Sequence, residues 1–463
     1  MLELDAHDAL LVDLYELTMA AAYFEHQVDC RATFELFVRQ LPPERAFLVA
    51  GGIEDALDYL AELRFREEDV GFLRSLPLFR NVSSEFFEYL RQFRFDGDVE
   101  AVEEGALIFS EEPLLQVTAP ILAAQIVETY LLSVINFETL VASKAARVVR
   151  AARGRGVLEF GTRRAQGPEA GVRAARAAYL GGCLATSNVL AGFRYGIPLA
   201  GTAAHSWTQA FPTERQSFVA LLDTFSEDAI LLIDTYDPLV GAETAATLGR
   251  KIAGVRIDSG DLLEKSCRVR EILDRHGLRE AKIVASGDLN EYKVEALLSQ
   301  GAPIDLFGVG TDLATSRDVP ALSVVYKLVE TERNGRVEHK SKFSEEKVYW
   351  PGRKQIFRFS EGAQYHHDVI ARSNENFSGG APLLRPVMRH GRRLRPQARL
   401  QDSRTNALAN LELLPEPYHA LRDAPAYPVA KSEALQRLLE EVHEQAFENQ
   451  KLEIRNQKME TGR

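Results

Sequence analysis

The stretch Ala281-Lys282-Ile283-Val284-Ala285-Ser286-Gly287-Asp288 decides the fold. A short apolar, β-branched run passes into a serine, a glycine and an acid, and residues 291–300 then read as a helix stopped at Gly301, which together make a strand, a turn and a returning helix. Leu306-Phe307-Gly308-Val309-Gly310-Thr311 repeats the opening of that unit one step further on. From about residue 155 to 330 such units recur at a spacing of roughly 20 to 30 residues, the rhythm of βα repeats. Strands are expected at 157–160, 183–186, 199–202, 229–234, 254–257, 282–285, 305–309 and 323–328. Eight of them suggest an α/β barrel of the TIM type, although periodicity alone does not separate a closed barrel from an open doubly wound sheet.

The strand exits are more specific. They read Gly161-Thr162-Arg163-Arg164, Ser187-Asn188, Ala204-His205-Ser206, Thr235-Tyr236-Asp237, Asp258-Ser259-Gly260-Asp261, Ser286-Gly287-Asp288 and Gly310-Thr311-Asp312. Seven strands deliver glycine, hydroxyl and charged residues to one end, as expected where carboxyl-end loops converge on a pocket. Glycine lets successive N–H groups point into one concavity, so the turns at Gly287 and Gly310-Thr311 suit a phosphate. Neither is a nucleotidase phosphate loop, for no Gly-Lys-Ser/Thr is present. Arg256, a charge near the end of an apolar strand, is costly to bury alone and is expected to face an anion. Asp258 suits sugar hydroxyls or the hydration shell of magnesium, whereas Asp261 reads better as a helix cap. Phe160 beside Arg163 offers a stacking face and a bidentate partner to an aromatic carboxylate, or is simply a core ring beside solvated arginines. His205 leaves its apolar run through Gly201-Thr202-Ala203-Ala204 and stands at an exposed edge.

The chain is 463 residues long, with 46% hydrophobic and 26% charged residues, which allows two or three globular domains. Residues 1–150 are expected to form an N-terminal α/β domain, mainly helical with strands at 32–38 and 46–50 and helices at 10–24, 52–63 and 119–152. The barrel occupies 151–330, and a smaller, more basic C-terminal region, 331–463, packs on the N-terminal domain and ends in an exposed helix over 432–455. A net charge of −12 argues against nucleic acid as a partner. No apolar run approaches the roughly 18 residues of a membrane span, so a membrane is not expected either. Cys30, Cys183 and Cys267 are odd in number and widely spaced, which fits a reducing, cytoplasmic setting.

Six motifs in order make the chain resemble the nicotinate phosphoribosyltransferases from end to end. They are Asp13-Leu14-Tyr15-Glu16-Leu17-Thr18-Met19, Glu159 to Arg164, Gly201 to Ser206, Arg256 to Asp261, Gly308 to Thr311, and Lys342-Phe343-Ser344-Glu345-Glu346-Lys347 with Pro351-Gly352. The resemblance implies an irregular α/β barrel with an N-terminal α/β domain, and a homodimer that completes its active sites across the interface. It implies that phosphoribosyl passes from phosphoribosyl pyrophosphate to nicotinate, with ATP as co-substrate and Mg2+. Tyr15 from the partner and Phe160 would sandwich the pyridine ring, and Arg163, Thr202 and Arg256 would hold its carboxylate. Asp258 would bind ribose hydroxyls, Gly287, Gly310 and Thr311 the 5′-phosphate, His205 would carry a phosphoryl group from ATP, and Ser206 beside it would touch substrate. The protein ligands of the metal are left open. Nicotinamide as substrate is the nearest alternative, but residues 185–188 offer Ser187 and Asn188 and no acid to accept from an amide. Quinolinate would call for more basic residues, and a non-catalytic phosphosugar-binding barrel loses ground because His205, Asp258 and both glycine turns are intact.

Overall fold

A computed structural model describes residues 9–344 and 348–460, so residues 345–347 of the sixth motif lie outside the described residues. Six parallel strands form the sheet expected of the βα units. In spatial order they are Ala185–Thr186, Gly156–Glu159, Leu306–Val309, Lys282–Ala285, Gly254–Ile257 and Ile230–Leu232. Neighbours are joined in parallel register, for example Val284 opposite Arg256 and Val309 opposite Glu159. Five of the helices between them start on side-chain caps: Asn188, Thr213, Asp237, Asp261 and Asn290 each accept from a backbone N–H of the first turn. Asp261 is therefore the helix cap its spacing suggests.

Two expected barrel strands are placed differently. Residues 199–202 make only one bridge, Leu199 beside Thr186, because the partner strand stops there: the Asn188 N–H turns back to Thr186 Oγ1 and Asn188 caps the next helix. Residues 323–328 belong to Val324–Arg333, which pairs antiparallel with Arg31–Val38 in the other large sheet. A half-buried apolar run does not encode which sheet it will join, and this one is claimed by the N-terminal partner. The result is an irregular, incomplete barrel: among the described residues, no ladder joins the 199 segment to Ile230–Leu232.

The N-terminal part is more sheet-rich than its sequence suggests. Its seven-stranded sheet runs Arg336–His339, Val324–Arg333, Arg31–Val38, Pro113–Pro120, Asp98–Ala101, Arg385–Arg389, Arg392–Arg393, so later segments of the chain complete it. A four-stranded sheet built on the hairpin Lys354–Glu361 and Gln364–Arg372 lies beyond it, and the chain ends in the expected long helix, Glu433–Glu460. The helix expected over 119–152 is broken into Ile121–Gln125 and Glu128–Ala151. Its first half packs Leu131 and Val134 into the N-terminal core, and its second half packs Val141, Ala145 and Val148 into the barrel core. By length and composition the span Ile121–Ala151 is apolar enough to cross a membrane, but 67% of its most apolar window is buried inside the fold, and it serves as the helix shared by both cores.

Candidate active site

The carboxyl ends of the six strands gather most of the expected residues. Arg256 and Asp258 alternate along one strand end and so project to the same side. The Arg256 guanidinium donates from Nη2 to Asp258 Oδ1 at 2.8 Å, from Nε to Ser286 Oγ at 2.8 Å and from Nη1 to Thr202 Oγ1 at 2.9 Å. The anion that Arg256 was expected to need is thus supplied within the protein by Asp258. Ser286 completes a triangle by donating to the same Asp258 oxygen at 2.5 Å. Burial alone would lift the Asp258 carboxyl, but the Ser286 hydroxyl and the Arg256 charge outweigh it and hold the group below the usual carboxylate range. The guanidinium carbon also lies 5.8 Å from the centre of the Phe160 ring, so the stacking face and the charge pair share one space.

His205 is the first residue of the helix His205–Gln209, with its side chain 42% exposed. Its Nδ1 is 3.2 Å from Thr235 Oγ1, and its Nε2 is 3.9 Å from Asp258 Oδ2. The side chains of Ser206 and Arg163 are exposed and without hydrogen-bonded or ionic partners among the described residues, free to meet a ligand. Gly287 has φ +97°, and a Cβ there would come within 2.2 Å of the Asp258 carbonyl oxygen, so only glycine lets this turn lie against the Asp258 backbone. A Cβ on Gly308 would meet the Phe160 ring at 2.6 Å, which explains a glycine inside a strand. Gly310 precedes the short helix Thr311–Ala314, placing Thr311 at its first position.

Tyr15 is the one expected residue that is not gathered here. It is 45% exposed on the helix Leu14–Glu25, and its phenol is bonded to Glu128 of the N-terminal domain. Nothing joins it to His205, Phe160 or Arg256 within the described residues of this subunit. On that helix Leu14 is exposed and the buried face is Glu16, Leu17, Ala20 and Ala21.

Three residues of the site take roles that the sequence does not assign. Asp234 is buried and accepts from the Asp258 N–H at 2.8 Å and from Ser259 Oγ at 2.9 Å, while its Oδ1 is buried without a partner. Glu159, buried at a strand end, accepts from the Gly161 N–H and from Thr186 Oγ1, the latter at 2.6 Å; burial raises its carboxyl and those two bonds offset part of the rise. It thereby ties the Phe160-Gly161 turn to the neighbouring strand. Thr235 holds the His205 ring. Their only signal in the sequence is a polar residue closing an apolar run. No three ligating side chains gather among the described residues. The unpartnered Asp234 oxygen beside Asp258 nevertheless offers the hard carboxylate donors that magnesium prefers, so the residues present fit an ion that takes its other ligands from phosphate and water.

Residues 10–136 match the nicotinate phosphoribosyltransferase (NAPRTase) N-terminal domain, and residues 156–342 match the NAPRTase family. The chain is 45% identical over 435 residues to nicotinate phosphoribosyltransferase pncB2 of Mycobacterium tuberculosis, covering 92% of each chain. It is 39% identical to the nicotinate phosphoribosyltransferase of Bacillus subtilis, over 79% of this chain and 76% of that one. The crystal structure of human nicotinic acid phosphoribosyltransferase superposes with a TM-score of 0.81 at 30% identity, over 93% of this chain and 99% of that one. A nicotinate-nucleotide pyrophosphorylase structure from Pyrococcus furiosus, at 24% identity and a TM-score of 0.73, shares the fold. The chain belongs to the nicotinate phosphoribosyltransferase family, enzymes that transfer phosphoribosyl from phosphoribosyl pyrophosphate to nicotinate.

Proposed function

We propose that the transfer is coupled to ATP hydrolysis through phosphorylation of His205, and that the site works as part of a homodimer in the cytoplasm. The observation that carries the coupling is the placement of His205: at the first position of a helix, half exposed, between Thr235 and Asp258. With the Nδ1 proton donated to Thr235 Oγ1, the Nε2 lone pair is free to attack the γ-phosphorus; the N–P bond forms as the bond to ADP breaks, and hydrolysis of the phosphohistidine returns phosphate. The phosphorylated form favours closure over bound substrates and so drives nucleotide formation.

In the transfer itself the nicotinate ring nitrogen forms a bond to the ribose anomeric carbon as the bond to pyrophosphate breaks. The protein contributes position and charge. Phe160 stacks on the pyridine ring, and Arg163, without another partner among the described residues, takes the carboxylate with help from the Thr202 hydroxyl and Arg256. Asp258, kept ionised by Ser286 and Arg256, accepts from ribose hydroxyls and favours the cationic character that develops on the sugar. The turns at Gly287 and Gly310-Thr311 hold the 5′-phosphate. Asp234 and Asp258 would each lend an oxygen to magnesium, which would neutralise charge on the pyrophosphate leaving group. Exposed Tyr15, bonded only within its own N-terminal domain, is available to a second subunit's site.

The test is an incubation with phosphoribosyl pyrophosphate and magnesium, supplying nicotinate, nicotinamide or quinolinate in turn, with and without ATP. Nicotinate mononucleotide formed from nicotinate alone among the three, with ATP consumed in step, is the expected result. Equal yields with and without ATP would overturn the coupling.

A further inference from the structure

Following the two glycine turns in the chain, Glu291 and Asp318 enter a charge cluster that the transfer chemistry does not use; Lys144, Arg45, Arg147 and Glu291 are buried in it, and Asp318, one-third exposed, forms its outer end. Lys144, midway along Glu128–Ala151, has a side chain only 1% exposed. Its Nζ lies 2.7 Å from Glu291 Oε2 and 2.8 Å from Asp318 Oδ1. One turn further on, Arg147 Nε reaches Glu291 Oε1 at 3.1 Å, and Arg45 Nη2 takes Asp318 Oδ2 at 3.1 Å and Ser316 Oγ at 3.2 Å. The two acids are not neighbours in sequence. Glu291 opens the helix Glu291–Ser299 directly after the Gly287 turn, whose last residue, Asn290, caps that helix. Asp318 closes the segment that starts at Gly310 and runs through Thr311–Ala314. One ammonium from the shared helix therefore grips the roots of both turns.

A buried ion pair is weak evidence for stability, since well-packed apolar side chains of similar volume often do as well. What a charged clamp adds is a single permitted spacing, because each oxygen must stay within hydrogen-bond reach of the same nitrogen, whereas apolar contacts tolerate sliding. We propose that Lys144 is a positioning residue for the phosphoribosyl donor: by holding Glu291 and Asp318 it sets the separation at which the Gly287 and Gly310-Thr311 turns close on one phosphate. This rests on the assignment of the 5′-phosphate to those turns.

The test compares the full-length variants Lys144→Met, Lys144→Arg and Lys144→Met/Glu291→Gln with the unmutated enzyme, in thermal melts and in steady-state kinetics with phosphoribosyl pyrophosphate, nicotinate, magnesium and ATP. Lys144→Met is expected to raise KM for phosphoribosyl pyrophosphate roughly ten- to hundredfold, the scale of a misplacement on the order of 1 Å. The KM for nicotinate should move by less than about twofold, and Lys144→Arg should recover most of the loss. Should the single variant fail to fold, the double variant carries the test, because it removes the share of the Glu291 charge that Lys144 balanced, leaving Arg147 beside a neutral amide, while Arg45 still serves Asp318. It should melt near the unmutated enzyme yet keep the raised KM. A folded variant with an unchanged KM for phosphoribosyl pyrophosphate, or with both KM values raised alike, overturns the proposal. Gly287→Ala and Thr311→Ala are measured alongside. If they raise that KM and the Lys144 variants do not, only the positioning role fails; if they leave it unchanged, the phosphate assignment itself fails.

Discussion

His205 and Thr235 are hydrogen-bonded, Nδ1 to Oγ1 at 3.2 Å, across the side of the barrel where no backbone ladder runs among the described residues. His205 follows the segment that holds on only at Leu199, and Thr235 follows Ile230–Leu232, the far edge of the parallel sheet. The Thr202 to Arg256 bond at 2.9 Å spans the same seam. Side chains of the candidate site thus close the circle that main-chain pairing leaves open, and a change of chemistry at His205 bears directly on the fit of the two edges. That is the structural route by which a phosphoryl group on His205 would tighten the site.

His205→Ala is expected to abolish ATP hydrolysis and the ATP-dependent gain in transfer, leaving a weak, ATP-independent reaction because Arg256, Asp258 and the glycine turns remain. Phosphate release and mononucleotide formation, followed together, check it. Full stimulation by ATP in this variant would exclude the phosphohistidine.

Arg256→Gln should raise KM for nicotinate by the equivalent of about 1.5–3 kcal/mol, the range of a hydrogen bond to a charged group. The KM for phosphoribosyl pyrophosphate should rise less, because Ser286 still donates to Asp258 when the guanidinium is gone. Equal rises would mean that Arg256 serves the phosphates.

A shared site is tested by subunit mixing. Tyr15→Ala and His205→Ala homodimers should each be nearly inactive, and a random mixture should recover about a quarter of unmutated activity, since about half the dimers are mixed and each holds one intact site. No recovery despite demonstrated exchange would place both residues in one subunit's site or remove Tyr15 from it.

Glu16 gives a pH prediction. Burial, assisted by the charge of Glu128, pushes its carboxyl up to about 7 against the bonds from Thr129. The folded state therefore holds a proton that the unfolded chain has lost, so this contribution to stability is intact below about pH 4.5 and drains away as pH rises through about 7. In thermal melts Glu16→Gln should gain on the unmutated protein by about 1–2 kcal/mol between those limits, after discount for solvent screening. A difference independent of pH would show that Glu16 is ionised throughout.

The βα rhythm is legible in the sequence, because the alternation of apolar runs and caps such as Asp261 and Asn290 acts within a few residues. The strand ends that make up the candidate site are legible too, since His205, Asp258, Gly287 and Gly310 each stand just past an apolar run. Only the packing of the whole chain sends Val324–Arg333 to the N-terminal sheet and leaves the 199 segment short of completing the barrel, for strand partners are chosen among apolar runs that look alike locally. The same packing pairs Arg256 with Asp258, buries Asp234 and Glu159 behind the site, and brings Lys144 to Glu291 and Asp318 from 147 and 174 positions away along the chain. Such partners are set by the meeting of distant segments, and a charge in a sequence carries no mark of which opposite charge will meet it once water is excluded.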